Sequence, residues 1–177
     1  MSNFRFIKRN IDIGNILKQV LDNPNDWSAV STFKNIAGDL NPYGFLPLVM
    51  GVVEDPNHSI KDSELQTPTH LFDKYTEIRK WLFNQKFTTI SRAAFFRLKP
   101  GDSVGRHIDD GKYYLTRDRY HLSLQGTYLY ECNDETHLIE PGTFFWFDNK
   151  KYHQAKNVSN VDRITFVFDV PKSPNNP

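Results

Sequence analysis

The chain has 177 residues, enough for one domain with a core of its own and no need of covalent staples. Its 22 Lys and Arg balance 21 Asp and Glu to a formal charge of +1, and no basic run is interleaved with aromatics, so neither nucleic acid nor a membrane is indicated as a partner. Cys132 is the only cysteine, which excludes an intrachain disulfide and suits a reducing compartment. Met1 to Phe6 lacks the apolar core of a secretion signal, and the most apolar run, 43–53, is broken by Pro47 and too short for a bilayer, so a cytoplasmic soluble domain is expected.

Between Asp12 and Asn23 the apolar residues Ile13, Ile16, Leu17, Val20 and Leu21 recur at helical spacing. Asp12 is placed to cap the start and Pro24 to stop the helix. A strand is expected at 27–33. The stretch 35–68 is rich in Gly, Pro, Asn and Asp and reads as irregular connection, with a short strand near 48–53. A second helix is expected over 68–84, where Leu71, Phe72, Tyr75, Ile78 and Leu82 form an apolar face and Pro68 suits the first turn.

From residue 88 to 170 the pattern changes to short strands divided by turn residues. Eight are expected, at 90–98, 103–108, 119–124, 127–131, 137–139, 143–147, 153–157 and 163–169. Gly101, Gly126, Asn133, Gly142 and Asn149 mark their turns. A helical and irregular lead-in over 1–87 and a β core over 88–170 predict one mostly β domain spanning 1–171. The expected fold is a double-stranded β-helix, the jelly-roll barrel shared with cupins, with the lead-in helices packed on its outer face. Residues 172–177 read as a flexible tail.

Strand alternation sorts the polar residues. Arg119, His121 and Ser123 share one face, and Arg163 shares one with Thr165, while Tyr120, Leu122, Leu124, Ile164, Phe166 and Phe168 face the other way. A wet outer face would look similar, but this polar set is rich in Arg and His, and covering helices would leave it lining a pocket. His107 and Asp109, two apart, offer a histidine and a carboxylate on one side. A second histidine from a distant strand completes a two-His-one-carboxylate triad that holds ferrous iron and leaves positions open. His153 is the expected third ligand, with His121 its nearest rival; Asp110 competes with Asp109 but points to the opposite face.

Several ordered blocks over 92–170 resemble the aspartyl/asparaginyl β-hydroxylase-like branch of the iron(II)/2-oxoglutarate dioxygenases. They are Arg97 to Gly101, His107 to Asp109, Arg119 to Leu122, Pro141 and Gly142, Phe147 to Asn149, His153, and Asp162 to Ile164. The resemblance implies that His107, Asp109 and His153 bind Fe(II), that 2-oxoglutarate and O2 are co-substrates, and that Arg163 holds the distal carboxylate of 2-oxoglutarate. Arg119 and His121 look like the pair that grips the carboxylate near the metal. A serine that assists in the animal enzyme falls on Phe96, so Thr165 is the expected substitute.

Where the animal enzyme has glycine, this chain has Asp109, which favours hydroxylation over halogenation. Arg106, Tyr113 and Arg117 are candidates to meet a small-molecule or peptide substrate. Two other readings carry different expectations: a cupin-type metal enzyme or ligand-binding module that does not use 2-oxoglutarate, and a non-catalytic interaction module.

Overall fold

The structure, a computed structural model, describes residues 2–28, 44–53, 55, 57, 59–85, 87 and 89–173. Eleven strands are present among the described residues: β1 (Phe4–Lys8), β2 (Gly44–Gly51), β3 (Gln66–Pro68), β4 (Ala93–Leu98), β5 (Ser103–His107), β6 (Arg117–Gln125), β7 (Tyr128–Cys132), β8 (Glu135–Ile139), β9 (Phe144–Phe147), β10 (His153–Asn157) and β11 (Arg163–Pro171). The helices are α1 (Gly14–Leu21), α2 (Thr76–Asn84) and the single turn α3 (Lys112–Leu115).

The strands form a seven-stranded sheet, ordered β1-β9-β6-β11-β4-β2-β3, and a four-stranded sheet, ordered β5-β10-β7-β8. Every pairing is antiparallel. Chain neighbours repeatedly sit in different sheets or skip a place, which is the signature of a jelly roll. This is the expected mostly β, double-stranded β-helix fold, although the two sheets are not closed into a continuous barrel.

Alternation gives the large sheet two unlike faces. Tyr120, Leu122, Phe144, Ile164, Phe166 and Phe168 point outward into a core shared with Ile16 and Val20 of α1 and with Ile78, Trp81 and Leu82 of α2. Trp81 stands edge-on to Phe144 and Phe168, with ring centroids 5.0 and 6.2 Å away. The lead-in helices therefore cover the outer face, as their apolar stripes require. Between the sheets a second apolar cluster gathers Phe4, Tyr128, Tyr130, Ile139, Phe145 and Phe147, and Tyr130 and Phe147 also border a cavity.

Asp12 accepts a hydrogen bond from the Gly14 N–H at 3.0 Å, as expected at the start of α1. The second helix begins at Thr76, eight residues late, because Pro68 ends β3 and 69–74 form turns. Trp27 lies in a 3-10 turn, Pro24–Ser28, rather than a strand, and 29–33 lie outside the described residues. Strand β1 had no counterpart in the sequence reading; it pairs with β9 across the chain, Phe4 opposite Phe147.

Phe144 is fully buried against four aromatic rings, whereas Phe83 on α2 is 81% exposed. Phe144→Ala is expected to lower unfolding free energy by about 3–5 kcal/mol in a urea titration. Phe83→Ala should stay within about 0.5 kcal/mol. Cys132 is fully buried and its thiol is pushed up to about 11, chiefly by burial. It should resist thiol reagents at pH 8 in the native protein and react at once in denaturant.

Candidate metal centre

The centre is built where the two sheets meet. Strand β5 pairs with β10 so that His107 stands opposite His153, and the imidazoles come together with ring centroids 4.2 Å apart. β5 ends at His107, and the chain turns Asp109 inward from the loop that follows. The three side chains offer one ligand atom each, all within 4.8 Å of one another. The Nε2 atoms of His107 and His153 lie 4.0 and 3.9 Å from the Asp109 carboxylate. Asp110 does not share this position: it faces outward and pairs with Lys61.

Both imidazoles are oriented for a metal. The Nδ1 of His107 lies 2.7 Å from the Gly105 carbonyl oxygen and that of His153 lies 2.9 Å from the Lys151 carbonyl oxygen. A carbonyl only accepts, so Nδ1 carries a proton in each ring and Nε2 is the nitrogen turned toward the shared site. Burial lowers the His153 pKa to about 4 despite the pull of Asp109, so the ring is neutral at ordinary pH. Burial by itself would raise Asp109, but the Arg119 guanidinium and the Asn149 hydrogen bond hold its carboxyl below the usual value. Two imidazoles and one carboxylate, a donor set of nitrogen and oxygen without a thiolate, fit a divalent ion bound with positions left open.

The acid is held from behind. Arg119 Nη1 and Asn149 Nδ2 donate to Asp109 Oδ2 at 2.8 and 2.9 Å. The Arg119 Nε and Nη2 donate to Asp169 at 2.8 and 2.9 Å. Arg119, expected to grip a co-substrate carboxylate, thus has all three nitrogens donating to carboxylates of the chain itself. Asn149 and Asp169 were not singled out as functional residues from the sequence. Asn149 stood inside the Phe147 to Asn149 block, and a polar turn residue beside a candidate ligand was the available signal.

Beyond the triad a cavity of about 440 Å3 runs between the sheets, lined by His107, Asp109, His153, Arg119, His121 and Arg163 among others. Of the residues that line it, Arg163 and His121 carry buried atoms without hydrogen-bond partners, Nε and Nδ1, and so do Thr165 (Oγ1), Ser123 (Oγ) and Tyr128 (OH) close by on the same strands and the neighbouring β7. Thr165 stands opposite Ser123 in the β11–β6 register, and the Arg163 guanidinium lies 4.1 Å from the centre of the Tyr128 ring. Arg163 is 5% exposed, yet among the described residues no carboxylate pairs with it. His121 is buried beside it and held well below its usual pKa, first by burial and then by Arg163, so it too is neutral.

The three substrate candidates fare differently. Tyr113 is fully buried; its hydroxyl donates to Asp169 at 3.1 Å and accepts from the Arg92 N–H at 3.1 Å, so it is part of the framework. Arg117 is tied to Glu64, Ser91 and Thr116. Arg106 lies over the Tyr152 ring and outside the cavity. Tyr114, the neighbour of Tyr113, lines the cavity, as do Lys61 and Ile60. The loop carrying α3 is strapped to the segment 60–64: Lys61 pairs with Asp110, the Lys112 N–H donates to Asp62, and Arg117 pairs with Glu64. Gly111, at φ +109°, passes so close that a Cβ there would lie 2.4 Å from the Lys61 carbonyl oxygen.

Residues 60–173 match the family model of aspartyl/asparaginyl beta-hydroxylases, well over half of the chain, and the protein belongs to that family. No curated protein matches the sequence. Among solved structures, a protein described as a predicted oxalate decarboxylase from Thermotoga maritima is similar at 20% identity and a TM-score of 0.40, covering 53% of this chain and 74% of that one. A cupin domain from Schizosaccharomyces pombe gives 14% identity and a TM-score of 0.40 over 46% of this chain, which spans little more than half (56%) of that domain. A double-stranded β-helix protein from Klebsiella pneumoniae gives 16% and 0.40, covering 51% and 73%. No helix among the described residues is long and apolar enough to cross a membrane.

His107 has a side chain 43% exposed and His153 one only 3% exposed. His107→Ala should therefore abolish binding of one equivalent of Co2+ in calorimetry while leaving the melting temperature unchanged. His153→Ala should abolish binding and also destabilise the fold by about 1–3 kcal/mol.

Proposed function

We propose that the protein is an Fe(II)- and 2-oxoglutarate-dependent dioxygenase. It would hydroxylate an unactivated C–H of an amino acid, a peptide side chain of Asp or Asn type, or a related small molecule, with release of succinate and CO2. The observation that carries this reading is the Arg163 guanidinium, buried on the wall of the same cavity as the triad, stacked on the Tyr128 ring and paired with no carboxylate among the described residues. A buried guanidinium without a carboxylate is costly, on the order of several kcal/mol, unless a ligand anion completes it. A dianionic keto acid supplies one carboxylate for this end and a second for the metal end.

The residues divide the work accordingly. His107, Asp109 and His153 would hold ferrous iron, which when bound supplies the activation of O2 that no side chain can perform. Arg163 grips the distal carboxylate, with the hydroxyls of Thr165, Ser123 and Tyr128 placed to donate to its oxygens. His121, neutral and between Arg163 and the triad, directs a ring nitrogen along the co-substrate. Its neutrality lets it hydrogen-bond without adding a second buried charge. Phe147 and Tyr130 wall the metal end and keep bulk water from it. The substrate enters past Tyr114, Lys61 and Ile60, which lie on the open side of the cavity.

Succinate release, screened over free amino acids and short Asp- and Asn-containing peptides with Fe(II) and 2-oxoglutarate, tests the reading. Turnover with at least one substrate class is expected. Arg163→Ala should raise the KM for 2-oxoglutarate by about 10–100-fold, the loss of a charge-assisted contact worth roughly 1.5–3 kcal/mol. Anaerobic mixing of protein, Fe(II) and 2-oxoglutarate should give a weak visible charge-transfer band. Metal binding without that band would reject 2-oxoglutarate and favour a cupin-type site serving another ligand.

A further inference from the structure

The two oxygens of Asp109 are not equivalent. Oδ2 accepts from Arg119 Nη1 at 2.8 Å and from Asn149 Nδ2 at 2.9 Å, which fills both of its lone-pair directions. Oδ1 lies 4.0 Å from His107 Nε2 and Oδ2 lies 3.9 Å from His153 Nε2, so distance to the imidazoles does not separate them; what does is that Oδ1 receives no hydrogen bond among the described residues. The main chain is fixed as well, because the Asp109 N–H donates to the Asn149 carbonyl oxygen at 3.0 Å.

Each of the two donors is itself held. Asp169, 1% exposed, takes the Nε and Nη2 of Arg119 in a two-pronged pair and also accepts from the Tyr113 hydroxyl. That leaves Arg119 one arm for Asp109, aimed at one oxygen. On the other side Lys150 Nζ donates to Asn149 Oδ1 at 2.7 Å, which turns the amide so that its NH2 group meets Asp109.

We infer that Arg119, Asn149 and Asp169 are positioning residues that fix Asp109 as a one-oxygen metal ligand through Oδ1, before any co-substrate binds. The inference rests on the metal-centre reading of the triad and departs from a role for Arg119 in gripping 2-oxoglutarate. Asp169 matters most because it restrains the guanidinium. Without it, Arg119 is free to turn its fork onto both oxygens of Asp109, the geometry that a guanidinium and a carboxylate prefer. The fork would then compete with the ion for Oδ1. Asp169 touches neither metal nor co-substrate in this arrangement, yet its loss should be felt at the metal.

The test is Co2+ titration of the apo-protein without 2-oxoglutarate, followed by calorimetry and by the ligand-field absorption spectrum. Parent protein, Asp169→Asn and Asn149→Ala are compared. Both variants are expected to bind Co2+ 10–100-fold more weakly than the parent, with a shifted spectrum, as is common when the partner of a metal ligand is removed. Folded variants that bind within about twofold of the parent, with its spectrum, would overturn the inference and leave the triad standing.

A parent that binds no Co2+ would instead sink the metal-centre reading and this one with it. Should the variants fail to fold, a crystal structure of the parent soaked with Mn2+ decides. Oδ1 alone bonded to the ion, with Oδ2 still on Arg119, upholds the assignment; bonding through Oδ2 or through both oxygens overturns it.

Discussion

Strand β11 runs near the middle of the large sheet with both faces covered, and the two coverings demand opposite chemistry. Ile164, Phe166 and Phe168 meet the helical layer, while Arg163, Thr165 and Asp169 meet the space between the sheets. A slip of one residue would drive a guanidinium and a carboxylate into the aromatic core and open phenylalanines to the cavity. Both faces therefore enforce one register. That register sets Asp169 opposite Arg119 and Thr165 opposite Ser123, so the packing of helices on the outside determines which polar groups meet on the inside.

Two arginines on this inner face show how charge compensation separates roles. Arg119 is matched by two carboxylates and has no unmet demand; its task is to hold. Arg163 is buried with an aromatic ring for company and no acid among the described residues. Keeping such a group buried carries a desolvation cost that a ring face offsets only in part. The same residue type lines the same cavity twice, matched by carboxylates in one place and by an aromatic ring in the other.

Those partners explain what could be read from the sequence. The eight core strands follow from period-two patterning and turn residues, and each reappears within a few residues of its expected bounds. The triad members could be picked out because His107 and Asp109 are close in sequence and His153 follows a turn into a strand, but Asp109 reaches the site from the loop after β5 and not from the strand face expected of it. What escaped depends on contacts made across long separations. Strand β1 is five residues with mixed character, and its partner β9 comes some 140 residues later. Arg117 and Arg119 lie on one strand face and look alike in sequence, but Glu64 and Ser91 claim the first while Asp109 and Asp169 claim the second. Tyr113 and Tyr114 exchange roles because α3 inserts a single helical turn where a plain loop was expected.

The strap across Gly111 has a consequence for how this enzyme family could diversify. Two chain segments, 60–64 and 110–117, each lend residues to the cavity wall, Ile60 and Lys61 from the first and Asp110 and Tyr114 from the second; some fifty residues apart, they are fastened by ion pairs and a backbone approach with no room for a side chain. Neither half is an independent module. A loop exchanged between homologues without its matching segment would carry the wrong charges to the seam and the wrong backbone to Lys61. In this chain a change on one side of the seam has to be matched by a change on the other.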